Sequence, residues 1–194
     1  MRVLIRERRV IADRWVFAGT SAELPAQGDV LVPLSLWSAE RDGLAARPGR
    51  IGVLLAPADD PAALVDDLPQ LALVAVDFPQ ATDGRGYSTA RLLRERYGYT
   101  GELRAVGDVG RDQLFYLARV GFDAFALRDG EDVAGALAAF ADFSEAYQAS
   151  VERPQPLFRR RTNGASSAIA ARNRRSSLAA LPHEFNFRRP DPIG

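Results

Sequence analysis

"LALVAVDFPQATDGRGYSTARLLRERYGYTGELRAVGD", residues 71–108, holds two apolar runs separated by a polar loop, a helical stretch and a glycine turn. The runs "LALVAVDF" and "ELRAV" are short and nearly continuous rather than alternating, as expected of parallel strands buried on both faces. Between them "STARLLRERY" has helical apolar spacing. Gly98 followed by Tyr99 suits a left-handed helix end with an apolar residue after it. Strand, helix and strand in this compass make one βα crossover unit.

The same rhythm continues in both directions. Upstream lie the apolar run "IGVLLAP" and a short helix "DDPAALVDDL" with Asp caps. Before them, "VLVPL" reads as a buried strand and "SLWSAERDGLAA" as a helix with Ser35 as N-cap. Downstream come the helix "RDQLFYLARV", the strand "DAFALRD" and a long helix "EDVAGALAAFADFSEAYQASV". "RVGFDAFA" repeats "RYGYTGEL" in kind, so Gly121 and Phe122 should repeat the helix end of Gly98 and Tyr99. "RVLIRERRVIADRWVF" reads as an N-terminal β-hairpin or two short edge strands. The fold class is therefore α/β, with about five βα units, a mainly parallel sheet and central strands expected at 51–56, 71–77, 102–107 and 123–127. The compact, uninterrupted units favour an incomplete, TIM-like half barrel, since about eight units are needed for closure. A flavodoxin-like doubly wound sheet is the alternative, and periodicity does not separate the two.

Residues 1–150 read as a single α/β domain. From 151 onward the pattern stops: Pro, Ser, Asn and Arg dominate, with nine Arg against Glu152, Glu184 and Asp191. Residues 151–194 are expected to be a basic, mostly disordered tail, solvated rather than a binding arm. The net charge of zero thus hides a basic tail and an acidic body. No apolar run reaches membrane-spanning length and no secretory h-region is visible, so a cytoplasmic protein without membrane contact is expected. Nothing in the pattern points to nucleic acid.

Cysteine and lysine are both absent, and the one His is His183 in the tail. The chain itself therefore encodes no disulfide, thiolate metal site, phosphate-loop lysine or Schiff-base lysine, and its body has no histidine for a triad or metal site. No metal ligand set is expected. Any redox role would need a borrowed carrier such as a flavin or nicotinamide, and the sequence encodes no cofactor motif of its own.

In parallel α/β sheets ligands gather at the carboxyl ends of strands. One such end presents Asp77, then Asp83, Gly84, Arg85, Gly86 and Ser88. The next presents Gly107, Asp108, Arg111, Asp112 and Gln113. Both loops should open on one rim. Gly84, Arg85, Gly86 and Ser88, with free N–H groups at a helix start, are anion-binding candidates, and Arg104 is expected on the same rim as a further one. The competing reading is an ordinary capped turn with Arg85 paired to Asp83. "GRGYST" lacks the third Gly of a dinucleotide fingerprint and lies too far from its strand. Asp83, Asp108 and Asp112 are the candidates for acid–base work, although capping is the commoner use of such residues. Arg104 shares a strand face with Glu102, and a charged pair inside a parallel strand must be satisfied by something.

"TDGRGYSTARLLRERYG" and "GELRAVGDVGRDQL", with "VIADRWVF" and "DVLVPLSLW" before them, resemble the signature of a bacterial family of unknown function, numbered nine hundred and thirty-four. The resemblance runs to about Gln148. It implies an oxidoreductase label tied to sulfite reduction, resting on genomic association with sulfate-assimilation enzymes such as siroheme sulfite reductase and adenylyl-sulfate reductase. It brings no catalytic residues to carry over, and many members carry Cys where this chain has Val120. The expectation is an accessory protein of assimilatory sulfate or sulfite reduction that binds an oxyanion, a nucleotide-type ligand or the sulfite reductase itself. A small α/β enzyme acting on a phosphate-bearing substrate and a non-catalytic assembly module are the alternatives. Open sheet edges also point to a homodimer.

Overall fold

The computed structural model describes residues 3–140. The expected tail at 151–194 and most of the expected long helix after Glu131 lie outside the described residues. Eight strands form one sheet in the order β2-β1-β8-β7-β6-β5-β4-β3. They are β1 Val3–Arg6, β2 Arg9–Ala12, β3 Val16–Phe17, β4 Val30–Pro33, β5 Ile51–Leu55, β6 Leu73–Phe78, β7 Glu102–Gly107 and β8 Ala124–Ala126. The strands β3 to β8 are mutually parallel, and each lies beside its predecessor in sequence. β1 joins β8 antiparallel and carries β2 as the outer arm of the N-terminal hairpin.

That order decides between the two expected sheets. A doubly wound sheet reverses its strand order and so places helices on both faces. Here the order never reverses, and crossovers of one hand put every helix on the same face. The result is a curled half barrel with helices outside, and the flavodoxin-like alternative is ruled out by the strand order. The helical layer consists of α1 Leu34–Ala46, α2 Arg85–Arg91 with a π-helical turn Leu92–Arg96, α3 Leu114–Arg119 and α4 Val133–Ala139. The β5–β6 connection has only a short 3-10 turn, Pro61–Leu64, capped by the Asp60 carboxylate, which accepts from the Ala62 N–H at 2.9 Å.

Alternate residues of each strand point to the helices. Val30, Val32, Val53, Leu55, Val74, Val76, Phe78, Leu103, Ala105 and Phe125 build the main core against Trp37, Leu44, Leu64, Leu93, Leu114 and Leu117. Trp37 on α1 is buried with its indole N–H donating to Asp67 at 2.8 Å, and Arg41 and Gln70 reach the same carboxylate. This satisfies a buried charge that the sequence did not advertise. Both helix ends expected from the glycine–aromatic repeat are present. Gly98 and Gly121 have φ of 67° and 112°. The N–H groups of Tyr99 and Phe122 donate back to the carbonyls of Leu93 and Leu117 at 2.9 and 3.2 Å, and both rings are buried. Ser35 is not a cap. Pro33 ends β4 and leads straight into α1, so Ser35 falls inside the first turn.

The other face of the sheet is concave. Ala12 ends β2 at one edge and Val16 begins β3 at the opposite edge, with only Asp13, Arg14 and Trp15 between. Four Cα–Cα steps reach about 15 Å at most, whereas eight strands laid flat would hold their outer members about 34 Å apart. The sheet must curl until this strap can bridge its gap. Trp15 lies against Leu31, Leu73 and Ala75 on the concave face. Opposite the gap stands Arg104 of β7, 1% exposed. Its guanidinium donates to Glu102 on the same strand at 2.8 and 2.5 Å, and to both carboxylate oxygens of Asp13 at 3.1 Å. Glu102 is buried as well and also takes Arg6 of β1 at 3.0 Å.

Removing one member of a buried ion network strands the others without partners, at a cost of about 3–5 kcal/mol. Arg104→Ala should therefore lower the unfolding free energy by about that amount in urea titrations. A loss below about 1 kcal/mol would show that the network does not hold the strap.

Candidate functional site

The carboxyl ends of the parallel strands surround a cleft of about 480 Å³ on the concave face. Its walls are apolar: Phe17 of β3, Leu31 of β4, Leu54 of β5, Val106 of β7 and Ala126 of β8. Its polar groups are Asp77 at the end of β6, and Arg128 and Asp129 just past β8. The volume is in the range of small-molecule sites, and the position is the one that TIM-like folds use.

Asp77 faces the cleft because β6 runs two residues with helix-side Val76 and Phe78 on either side of it. Burial pushes its carboxyl above the usual Asp value, opposed by a hydrogen bond from the Phe78 N–H. Gly107, opposite Phe78, has φ of 95°. A Cβ there would stand 2.4 Å from the Phe78 carbonyl oxygen and 2.7 Å from an Asp77 oxygen, so only Gly lets the two strand ends meet. Asp108 follows. Its backbone N–H donates to Phe78 at 2.7 Å, and its carboxylate accepts from the Ala81 N–H at 3.0 Å and from Arg128 at 3.2 Å. Gln113 is buried; it accepts from the Gly110 N–H and donates to the Ala81 carbonyl, both at 2.9 Å. The expected convergence of the β6 and β7 loops is thus built through Ala81.

Arg128 is held between Asp108 and Glu131, the latter at 2.8 Å. Gly110 leaves room for the guanidinium, since a Cβ there would sit 3.2 Å from Arg128 Cζ. The Glu131 carboxyl is lowered, first by the Arg111 N–H and then by Arg128. With Asp77 and Asp129 on the wall, and with Arg128 already flanked by two carboxylates, the mouth carries a surplus of negative charge.

The remaining expected residues stand elsewhere. Asp83 accepts from the Arg85 N–H at 3.1 Å and pairs with its guanidinium at 2.6 Å. The capped-turn reading therefore describes Gly84–Ser88, with Arg85 and Ser88 exposed outside the cleft. Gly86 is buried because a Cβ would meet the Phe78 ring at 2.5 Å. Asp112 is exposed beside Gly110. Arg104 is not on this rim but deeper on the concave face, toward the amino ends of the strands. Sequence reasoning missed Arg128, Asp129 and Phe17. The rule applied to the ends of β6 and β7 would have found the first two at "ALRDG", the end of β8. Among the described residues no cluster of His, Cys, Asp and Glu is arranged to hold a metal ion, and no helix is long and apolar enough to cross a membrane.

These features define a singly wound α/β half barrel with a ligand-sized cleft at its carboxyl mouth. Within that class the chain belongs to the family described as "Bacterial protein of unknown function (DUF934)", whose sequence model matches residues 52–158. The match begins inside β5, so the hairpin, the strap and β3–β4 precede it. No curated protein and no solved structure matches the sequence.

A carboxyl raised by burial binds its proton more tightly in the folded state. Its contribution favours folding below the ordinary Asp range and is lost as pH rises through its folded value. Asp77→Asn should then raise the denaturation midpoint at neutral pH, with the gain shrinking as pH falls toward the carboxylate range. An Asn variant less stable than the parent at pH 7 would contradict this account.

Proposed function

We propose that this protein is an accessory component of assimilatory sulfate or sulfite reduction that binds a nucleotide-type ligand in its carboxyl-mouth cleft. The observation that carries the ligand class is the make-up of that cleft. Apolar walls suit the faces of a base, and Asp77 and Asp129 are acceptors for ribose hydroxyls or an exocyclic amine. Arg128 supplies one guanidinium for a phosphoryl group. The acidic surplus disfavours a bare oxyanion at this mouth, and Arg85, paired with Asp83, lies outside the cleft. The link to sulfur metabolism rests on the resemblance of "TDGRGYSTARLLRERYG" and "GELRAVGDVGRDQL" to their family, and the sulfite reductase is the proposed protein partner.

A second reading is favoured by Asp77 itself. A carboxyl raised by burial in a cleft, with an arginine on the same wall, suits general acid–base work on a phosphate-bearing substrate. That reading makes the same residues catalytic rather than only ligand-binding.

Calorimetric titration with adenosine monophosphate and adenylyl sulfate tests the ligand class. Saturable binding is expected, weakened about tenfold or more by Arg128→Ala and unchanged by Arg85→Ala outside the cleft. Absence of binding to either nucleotide overturns it. Turnover of adenylyl sulfate without a partner would favour the enzyme reading, and co-purification with the sulfite reductase from the native host would support the accessory one.

The homodimer is proposed on the two edge strands. β2 exposes Val10 and Ile11, and β3 exposes Val16 and Phe17, so both rims of the gap are apolar and, among the described residues, are open sheet edges. Sedimentation of the full chain at micromolar concentration should give a dimer, weakened by Phe17→Glu; a monomer would exclude it.

A further inference from the structure

A second cleft, of about 280 Å³, opens at the opposite mouth of the half barrel, where the parallel strands begin. Its floor is the buried Arg104–Glu102 pair. Its walls are Arg6 of β1, the strap Asp13–Trp15, and Arg50, the residue before β5. Four arginines line this space, Arg6, Arg14, Arg50 and Arg104. Three carboxylates reach them: Glu102 is shared by Arg6 and Arg104, Asp13 takes Arg104, and Asp29 takes Arg50. Arg14 is exposed and has no partner among the described residues. The charge balance is thus opposite to that of the carboxyl mouth.

The arrangement is also preorganised. Asp29 fixes Arg50 through both its Nε and Nη2, at 3.0 and 2.5 Å, and the guanidinium lies 5.2 Å from the centre of the Trp15 ring. The Glu102 carboxylate holds Arg6 by one oxygen and leaves that side chain 40% exposed. An Arg fixed by one carboxylate keeps further N–H donors free, because the guanidinium has five. A compact anion with several acceptor oxygens is the ligand that would satisfy such donors from three sides at once.

We propose that the amino mouth is a binding site for a tetrahedral oxyanion of the sulfate or phosphate class, held by Arg6, Arg14 and Arg50. The bound ion joins the strap, through Arg14, to β1 and to the start of β5. It therefore pins the strap across the gap of the half barrel, and binding must stabilise the fold by linkage. This site is independent of the ligand proposed for the carboxyl mouth.

The test is titration of the full chain with sodium sulfate and, separately, sodium phosphate, against sodium chloride at matched ionic strength. Binding is read by tryptophan fluorescence and by the thermal midpoint. Trp15 lines the site, whereas Trp37 is sealed in the core, so a saturable change in emission is expected together with a rise in midpoint. Arg14→Ala, which removes no partnered group, should keep the ligand-free midpoint and weaken binding at least tenfold; Arg14→Glu should abolish it. A third titration with adenosine monophosphate identifies the source of the anion. Equal affinity for phosphate and the nucleotide supports a free ion, and tighter nucleotide binding that is lost in Arg14→Ala supports a phosphate ester on the same donors. Adenosine, which lacks the anion, should not compete with sulfate, so a failure at either mouth is told apart from a failure at the other. Responses no greater than chloride, or an Arg14→Ala variant that binds as the parent does, would overturn the proposal.

Discussion

The guanidinium of Arg104 sits on the inside of a curled sheet, bound by one carboxylate from its own strand and one from the strap that bridges the gap. Apolar side chains in place of the whole network would be as well buried and often no less stabilising, because desolvation consumes most of what a buried ion pair gains. What the pair adds is position. Asp13 can meet Arg104 only when the strap lies across the concave face, and Trp15 then covers Leu73 and Ala75, both fully buried. The short strap imposes the curl of the sheet, and that contact fixes the strap over the inner face.

Winding in one direction does the rest. Since every crossover puts its helix outside, the inner face is free for side chains other than helix contacts, and the two ends of the strands become two different chemical surfaces. At the carboxyl end short loops bring Asp77, Arg128 and Asp129 around apolar walls. At the amino end the hairpin and the strap bring arginines together. A doubly wound sheet would have covered this face with helices and left one crevice at a reversal point.

The strands of the sheet were legible because "LALVAVDF", "ELRAV" and "IGVLLAP" are short, continuous and apolar, and the helix ends because Gly98–Tyr99 and Gly121–Phe122 have a steric reason to be there. The direction of winding was not legible: each strand's pattern records that it is buried on both faces, not which neighbour it has. At the site, Asp77 and Asp108 followed from their places at strand ends. The glycines of "DGRGY" misled for a physical reason. Gly86 is small to admit the Phe78 ring, not a ligand, and Arg85 is satisfied two residues away. The strap was hidden altogether, because nothing local in "ADRW" says that its two flanking strands lie at opposite edges.

The pairing of β1 with β8 has a consequence for how the chain is made. Leu4 lies opposite Ala126, so β1 meets β8 only after the strands between them in the chain have been synthesised. At about 5–20 residues per second the hairpin waits on the order of ten seconds, its apolar edge uncovered, while β4 to β7 assemble in order. The β1–β8 pairing is the least local in the sheet and carries the largest loop entropy. A chain released before residue 124 would hold β3 to β7 in order and leave β1 of its hairpin without the strand it pairs with.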